Sequence, residues 1–263
     1  MSKPLSSWQL IKRSLRHYRR HWFGYAKIVA VTALPVGFFN LYMNANQDTT
    51  LAAYLSLASL VMTTALVWAM ARQYEGRTPQ TEPQTRLPRP PGTAEAYYTG
   101  SELFVRFMLV GLSLAAIVIP LALGLALFNI SLNATGWTSL VSPEQLIITA
   151  VCTLIALPTF YLLGGYSLAL IAIARDGGRP LQALKTARVL VRGRYWRVVA
   201  RLIILLVWLL LVCMPLALIS GLLVTFGYVI WAKLTFQFYS WFIILPLMYL
   251  YLFELYISLE DPS

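Results

Sequence analysis

Charge is the scarcest property of this chain. Only 12% of its 263 residues are Asp, Glu, Lys or Arg, against roughly a quarter in an ordinary soluble domain. Acids number ten, and none of them forms a clear general acid–base pair. Histidines and cysteines number two each. His17 and His21 stand four residues apart, a spacing that can hold a metal, but the surrounding bases disfavour a cation there. Cys152 and Cys213 both fall in apolar runs and read as small packing residues, with a disulfide left open. No glycine-rich phosphate loop, no H-E-x-x-H and no serine nucleophile elbow occurs. The chain is therefore expected to be non-enzymatic, with no cofactor, no metal site and no nucleic-acid partner. Alternating apolar and polar residues are missing too. The run Leu202–Leu211 (LIILLVWLLL) excludes a membrane β-barrel strand and demands a helix, in which every backbone polar group is satisfied internally.

What is present is apolar length. Residues of the apolar class make up 59% of the chain, and the mean hydropathy is +0.67. Six runs reach the ~20 residues a helix needs to cross a hydrocarbon core: Phe23–Tyr42, Leu51–Ala71, Phe104–Leu127, Leu146–Ile173, Val198–Leu223 and Leu234–Ile257. They predict an all-α, polytopic membrane protein in which residues 1–263 form a single membrane domain. A cleavable secretory signal is not expected, because a basic, amphipathic arm precedes a full-length span. Residues 75–100, holding five prolines and almost no large aliphatic side chain, read as a flexible loop.

The bases orient this frame. Of the 21 Lys and Arg residues, only Lys233 falls outside the arm before the first span, the loops after the second and fourth, and the adjoining span ends, which hold Lys27, Arg106 and Arg201. The positive-inside rule then places both termini in the cytoplasm. Trp22, Trp68 and Trp196 fall at the inner boundary and Trp137 and Trp231 at the outer one, as an aromatic belt would have them.

Two stretches concentrate the positive charge. In residues 5–22, Trp8, Ile11, Leu15, Tyr18 and Trp22 are spaced 3, 4, 3 and 4, while Lys12, Arg13, Arg16, Arg19 and Arg20 occupy other faces. Residues 180–197 repeat the design with Leu181, Leu184, Ala187, Val191 and Tyr195 on one face, and with Lys185, Arg188, Arg192 and Arg194. Offset by 173 positions, Gln9, Lys12, Arg19, Trp22 and Phe23 fall on Gln182, Lys185, Arg192, Tyr195 and Trp196. Both stretches predict amphipathic helices in the membrane interface, bases reaching anionic head groups. The same charge also serves as a topology anchor, and a protein partner is an alternative occupant.

Inside the spans, Pro35, Pro120, Pro158, Pro215 and Pro246 predict kinks. Small pairs at four-residue spacing, Ala33/Gly37, Gly111/Ala115 and Gly165/Ala169, predict close helix contacts. Glu102, Arg106 and Glu254 are the ionisable groups nearest membrane depth, and Arg106 is expected to clamp one of the acids. A small transporter or channel built from proline-kinked helices is the alternative reading; Asn40 and Gln237 would border its path.

The segment Arg179–Arg201 (RPLQALKTARVLVRGRYWRVVAR) resembles the A-L-x-x-[SA]-x-x-L-V-[KR]-G-R-x-W-R stretch of six-span bacterial integral membrane proteins. These are similar to the membrane domain that precedes some glycerophosphodiester phosphodiesterases. The arm SSWQLIKRSLRHYRRHW and Ala96–Gly100 are also similar to small polytopic proteins of Saccharibacteria-type bacteria. The resemblance implies a bacterial cell-membrane protein acting near lipids or envelope assembly. It carries over no catalytic residue, because the phosphodiesterase domain has no counterpart in these residues.

Overall fold

The computed structural model describes residues 6–46, 49–75, 90–135 and 164–260, with isolated positions between 147 and 162. All regular structure among them is helical. We number the helices α1 (Ser7–Asn46), α2 (Thr49–Tyr74), α3 (Thr93–Thr135), α4 (Ala169–Asp176), α5 (Pro180–Val191), α6 (Tyr195–Thr225), α7 (Val229–Tyr239) and α8 (Leu245–Glu260), with a π-helical turn Ser240–Ile244 joining the last two. Five stretches are long and apolar enough to cross a membrane: Ser7–Phe39, Tyr54–Tyr74, Thr93–Ile119, Tyr195–Thr225 and Val229–Glu260. That makes a multi-pass membrane protein. The fourth run read from the sequence, Leu146–Ile173, falls partly outside the described residues.

Two boundaries differ from the sequence reading. The arm and the first span form one helix of 40 residues, about 60 Å at 1.5 Å per residue. Nothing between Leu5 and Tyr42 stops it: Pro35 is the one helix-breaking residue, and the helix continues through it. The loop expected over 75–100 also ends early, since α3 begins at Thr93 with Glu95 in its first turn, where a carboxylate complements the helix dipole. Tertiary contact explains the rest. Ala96 is buried, and the Tyr97 hydroxyl donates to the Ile28 carbonyl at 2.7 Å. The intervening residues 76–89 lie outside the described set.

Helix α8 lies at the centre, with Leu247, Tyr249, Leu250, Tyr251, Phe253, Glu254, Leu255 and Tyr256 all buried. It packs chiefly on α1, while α2 lies between α1 and α3. Helix α6 pairs mainly with α7 and exposes Ile203, Leu206, Leu210, Met214 and Leu218.

Close approach depends on glycines, though not all those expected. A Cβ at Gly100 would lie 2.8 Å from the Ala65 backbone, and one at Gly37 would lie 2.6 Å from the Phe238 ring. Gly111 has no atom of the described residues within 4 Å of its Cβ position, so no close helix contact is seen there among them. At Gly100 the obstacle is backbone, which cannot rotate away. Gly100→Val should therefore destabilise the protein by about 2 kcal/mol through overpacking, whereas Gly111→Val should leave unfolding in detergent unchanged within error. Equal melting shifts would place the α2–α3 contact elsewhere.

Tyrosine hydroxyls bond carbonyls beside two of the prolines. Pro246 supplies no N–H to the carbonyl four residues back, Phe242. The Tyr18 hydroxyl donates to that carbonyl instead, at 2.8 Å. In the turn before Pro215, whose own missing N–H would have served Leu211, the Val212 carbonyl accepts an additional bond from the Tyr239 hydroxyl at 2.9 Å. Side chains that re-satisfy freed carbonyls are what let membrane helices carry proline. Tyr18→Phe should cost about 1–2 kcal/mol, the penalty for a buried acceptor left unmade. Since Phe keeps the packing, a melting temperature equal to wild type would show that the carbonyl finds another donor.

Candidate functional site

One side of α1 is exposed along the arm and carries two stripes. The first is basic: Lys12, Arg16, Arg19 and Arg20 are exposed and, with Leu15, line a shallow groove of about 510 Å³. The second is apolar: Trp8, Leu15 and Trp22 repeat every seven residues and are 60%, 40% and 53% exposed. Lys12 Nζ lies 5.5 Å from the Trp8 ring centre and Lys27 Nζ 4.6 Å from that of Phe23, so the stripes meet through cation–π contacts. Arg13 is half-buried. No ion pair joins any of these bases to an acid among the described residues, and the first acid in the chain is Asp48.

The amphipathic face read from the sequence is thereby split. Ile11 and Tyr18 turn towards the bundle, while Trp8, Leu15 and Trp22 turn outward. The inward stripe of α1 contains Leu10, Ser14, His17, His21 and Tyr25, far more polar than hydropathy suggests.

Its polar members meet a buried knot on α2 and α8. Glu254 is 3% exposed; its Oε1 lies 3.2 Å from His17 Nε2 and accepts from the Tyr74 hydroxyl at 3.0 Å. The Tyr74 ring stacks on Phe253, centroids 5.3 Å apart, and meets His17 edge-on at 6.1 Å. One step along, the Tyr25 hydroxyl donates to Gln73. A carboxylate this deep persists only when its lone pairs are engaged, and here α1 and α2 engage them through His17 and Tyr74. Arg106, expected to clamp one of the acids, donates to the Gly177 carbonyl at the end of α4, while Glu254 faces α1 and α2. Glu102 lines a separate cavity of about 230 Å³ with Arg72, Glu75, Arg175 and Asp176, and Arg175 pairs with Glu260.

The second basic stretch is assembled differently. Helix α5 ends at Val191, and α6 starts at Tyr195. Between them Gly193 takes φ +82, in the left-handed region that only glycine enters without cost. The corresponding position of the first arm is Arg20, which stays helical; one residue thus decides whether arm and span are collinear. Ala187 and Val191 are buried and Leu184 is half-buried, but Leu181 is 72% exposed. Lys185, Arg188 and Arg192 are exposed. Arg194 is half-buried and donates to the Leu259 carbonyl at 3.3 Å, so it locks α8 rather than facing a ligand. Arg201 is also buried, 3.3 Å from the Ser258 hydroxyl.

Sequence reasoning missed the knot, though Glu254 as the most deeply placed acid and the His17/His21 pair were its visible signals. Among the described residues no cluster of His, Cys, Asp and Glu could hold a metal. Compared with protein-family models, curated proteins and solved structures, the chain matches none.

Proposed function

We propose that this is a non-enzymatic integral membrane protein whose basic face binds anionic lipid. The frame is six spans with both termini cytoplasmic, in the cell membrane of a bacterium. The arm of α1 and helix α5 lie at the inner leaflet. The observation that carries the reading is the exposed face of α1: four bases with no acidic partner among the described residues, flanked by an exposed Trp8–Leu15–Trp22 stripe. That pairing of cations with interfacial aromatics fits a phosphate layer above acyl chains. A soluble acidic protein would satisfy the bases but leave the stripe uncovered.

Native mass spectrometry of the full chain, released from mixed anionic and zwitterionic lipid, tests this. Wild type should retain anionic lipid preferentially. Replacing Lys12, Arg13, Arg16, Arg19 and Arg20 by Gln should remove most of that preference. Equal retention of both lipid classes by wild type would leave the charge as a topology signal alone.

A small transporter or channel is the second reading, favoured by the inward polar stripe of buried Ser14, His21 and Tyr25 and half-buried His17. Cysteines placed along that stripe would react with small water-soluble thiol reagents if water enters there. A dry knot would leave them unmodified.

A further inference from the structure

The four exposed bases of α1 are spaced for more than one phosphate. Lys12 and Arg16 are one turn apart, and Arg19 and Arg20 complete the next turn, so the cations span about 12 Å along the axis. They line one groove around Leu15. Like charges a turn apart repel by about 0.7 kcal/mol per pair even in water, and by more in a membrane interface. A head group with a single negative charge would leave three of the four uncompensated. Resting on the lipid reading above, we propose that this groove is a site for a lipid head group bearing two phosphates. One phosphate is held between Lys12 and Arg16, the other by Arg19 and Arg20. The acyl chains lie over Leu15 and Trp22, which continue the groove on its apolar side. Helix α5 cannot build the same site. Its equivalents of Arg16 and Arg20 are Val189 and Gly193, so the two basic stretches divide the work: a specific site on α1, diffuse attraction on α5.

The test uses the full chain in detergent with cardiolipin, which carries two phosphates, against phosphatidylglycerol supplied at twice the molar amount to match charge. Bound lipid is counted by native mass spectrometry. Wild type should retain cardiolipin about tenfold over phosphatidylglycerol, the ratio expected from one or two added charge contacts. Arg16→Lys/Arg19→Lys/Arg20→Lys keeps the charge, and hence insertion, but loses the planar two-donor fork that matches phosphate oxygens. It should lose the cardiolipin preference while still retaining phosphatidylglycerol. Lys185→Gln/Arg188→Gln should leave the preference intact. Inorganic pyrophosphate at millimolar concentration separates head-group chemistry from lipid: displacement by pyrophosphate alone would show a soluble diphosphate as the occupant and overturn the lipid assignment. Equal retention of the two lipids by wild type would also overturn the proposal, while leaving general anionic binding standing. Retention of neither would sink both readings.

Discussion

Glu254→Ala should be the most damaging single substitution in the bundle, lowering stability by about 3 kcal/mol. The carboxylate is 3% exposed and engages α1 through His17 and α2 through Tyr74. Removing it strands two polar groups in the interior and opens a void beside the Tyr74–Phe253 stack; losing one partner of a buried pair typically costs about 3–5 kcal/mol. Glu254→Gln retains an oxygen that both neighbours can reach, so it should cost about 1 kcal/mol. Thermal unfolding in detergent reads both. A double-mutant cycle is sharper: His17→Ala and Glu254→Ala should be non-additive by about 1–2 kcal/mol, since the second removes a partner already lost. Strict additivity would mean that the contact between arm and bundle contributes nothing of its own.

Neutralising the two basic stretches separately should have unequal effects on lipid. On α1, Lys12, Arg16, Arg19 and Arg20 line one groove with no acid beside them among the described residues. On α5 the exposed bases Lys185, Arg188 and Arg192 face outward, and Arg194 is committed to the Leu259 carbonyl. At about 1 kcal/mol per base near an anionic leaflet, replacing the four α1 bases by Gln should weaken anionic-lipid retention at least a hundredfold before crowding is allowed for. Replacing the three on α5 should weaken it by a smaller factor. Both effects should shrink as salt rises, because exposed charges are screened over ~8–10 Å at ordinary ionic strength. A larger effect from α5 would move the principal surface to the second stretch.

Some of this was legible in the residues and some was not, for separate physical reasons. The all-α class follows from runs such as Leu202–Leu211, which only a helix can place in hydrocarbon. The exposed bases were legible because charge avoids burial. The split of the Trp8–Ile11–Leu15–Tyr18–Trp22 face was not, since hydropathy cannot separate a side chain facing acyl chains from one facing another helix. Continuity of α1 and the break before α6 turn on Arg20 against Gly193, a contrast present in the sequence but meaningful only once φ +82 is known. The partner of Glu254 could not be read because His17 lies 237 positions away and only helix packing brings them together.

Contact of the α1 bases with the inner leaflet requires that the basic end of the bundle face the cytoplasm. Single cysteines near Asp48, Thr138 and Tyr228 should react with a membrane-impermeant maleimide in intact cells. Cysteines near Pro90 and Gly178 should react only after the membrane is permeabilised. Labelling at Pro90 from outside would place the α1 basic face against the outer leaflet and contradict the account.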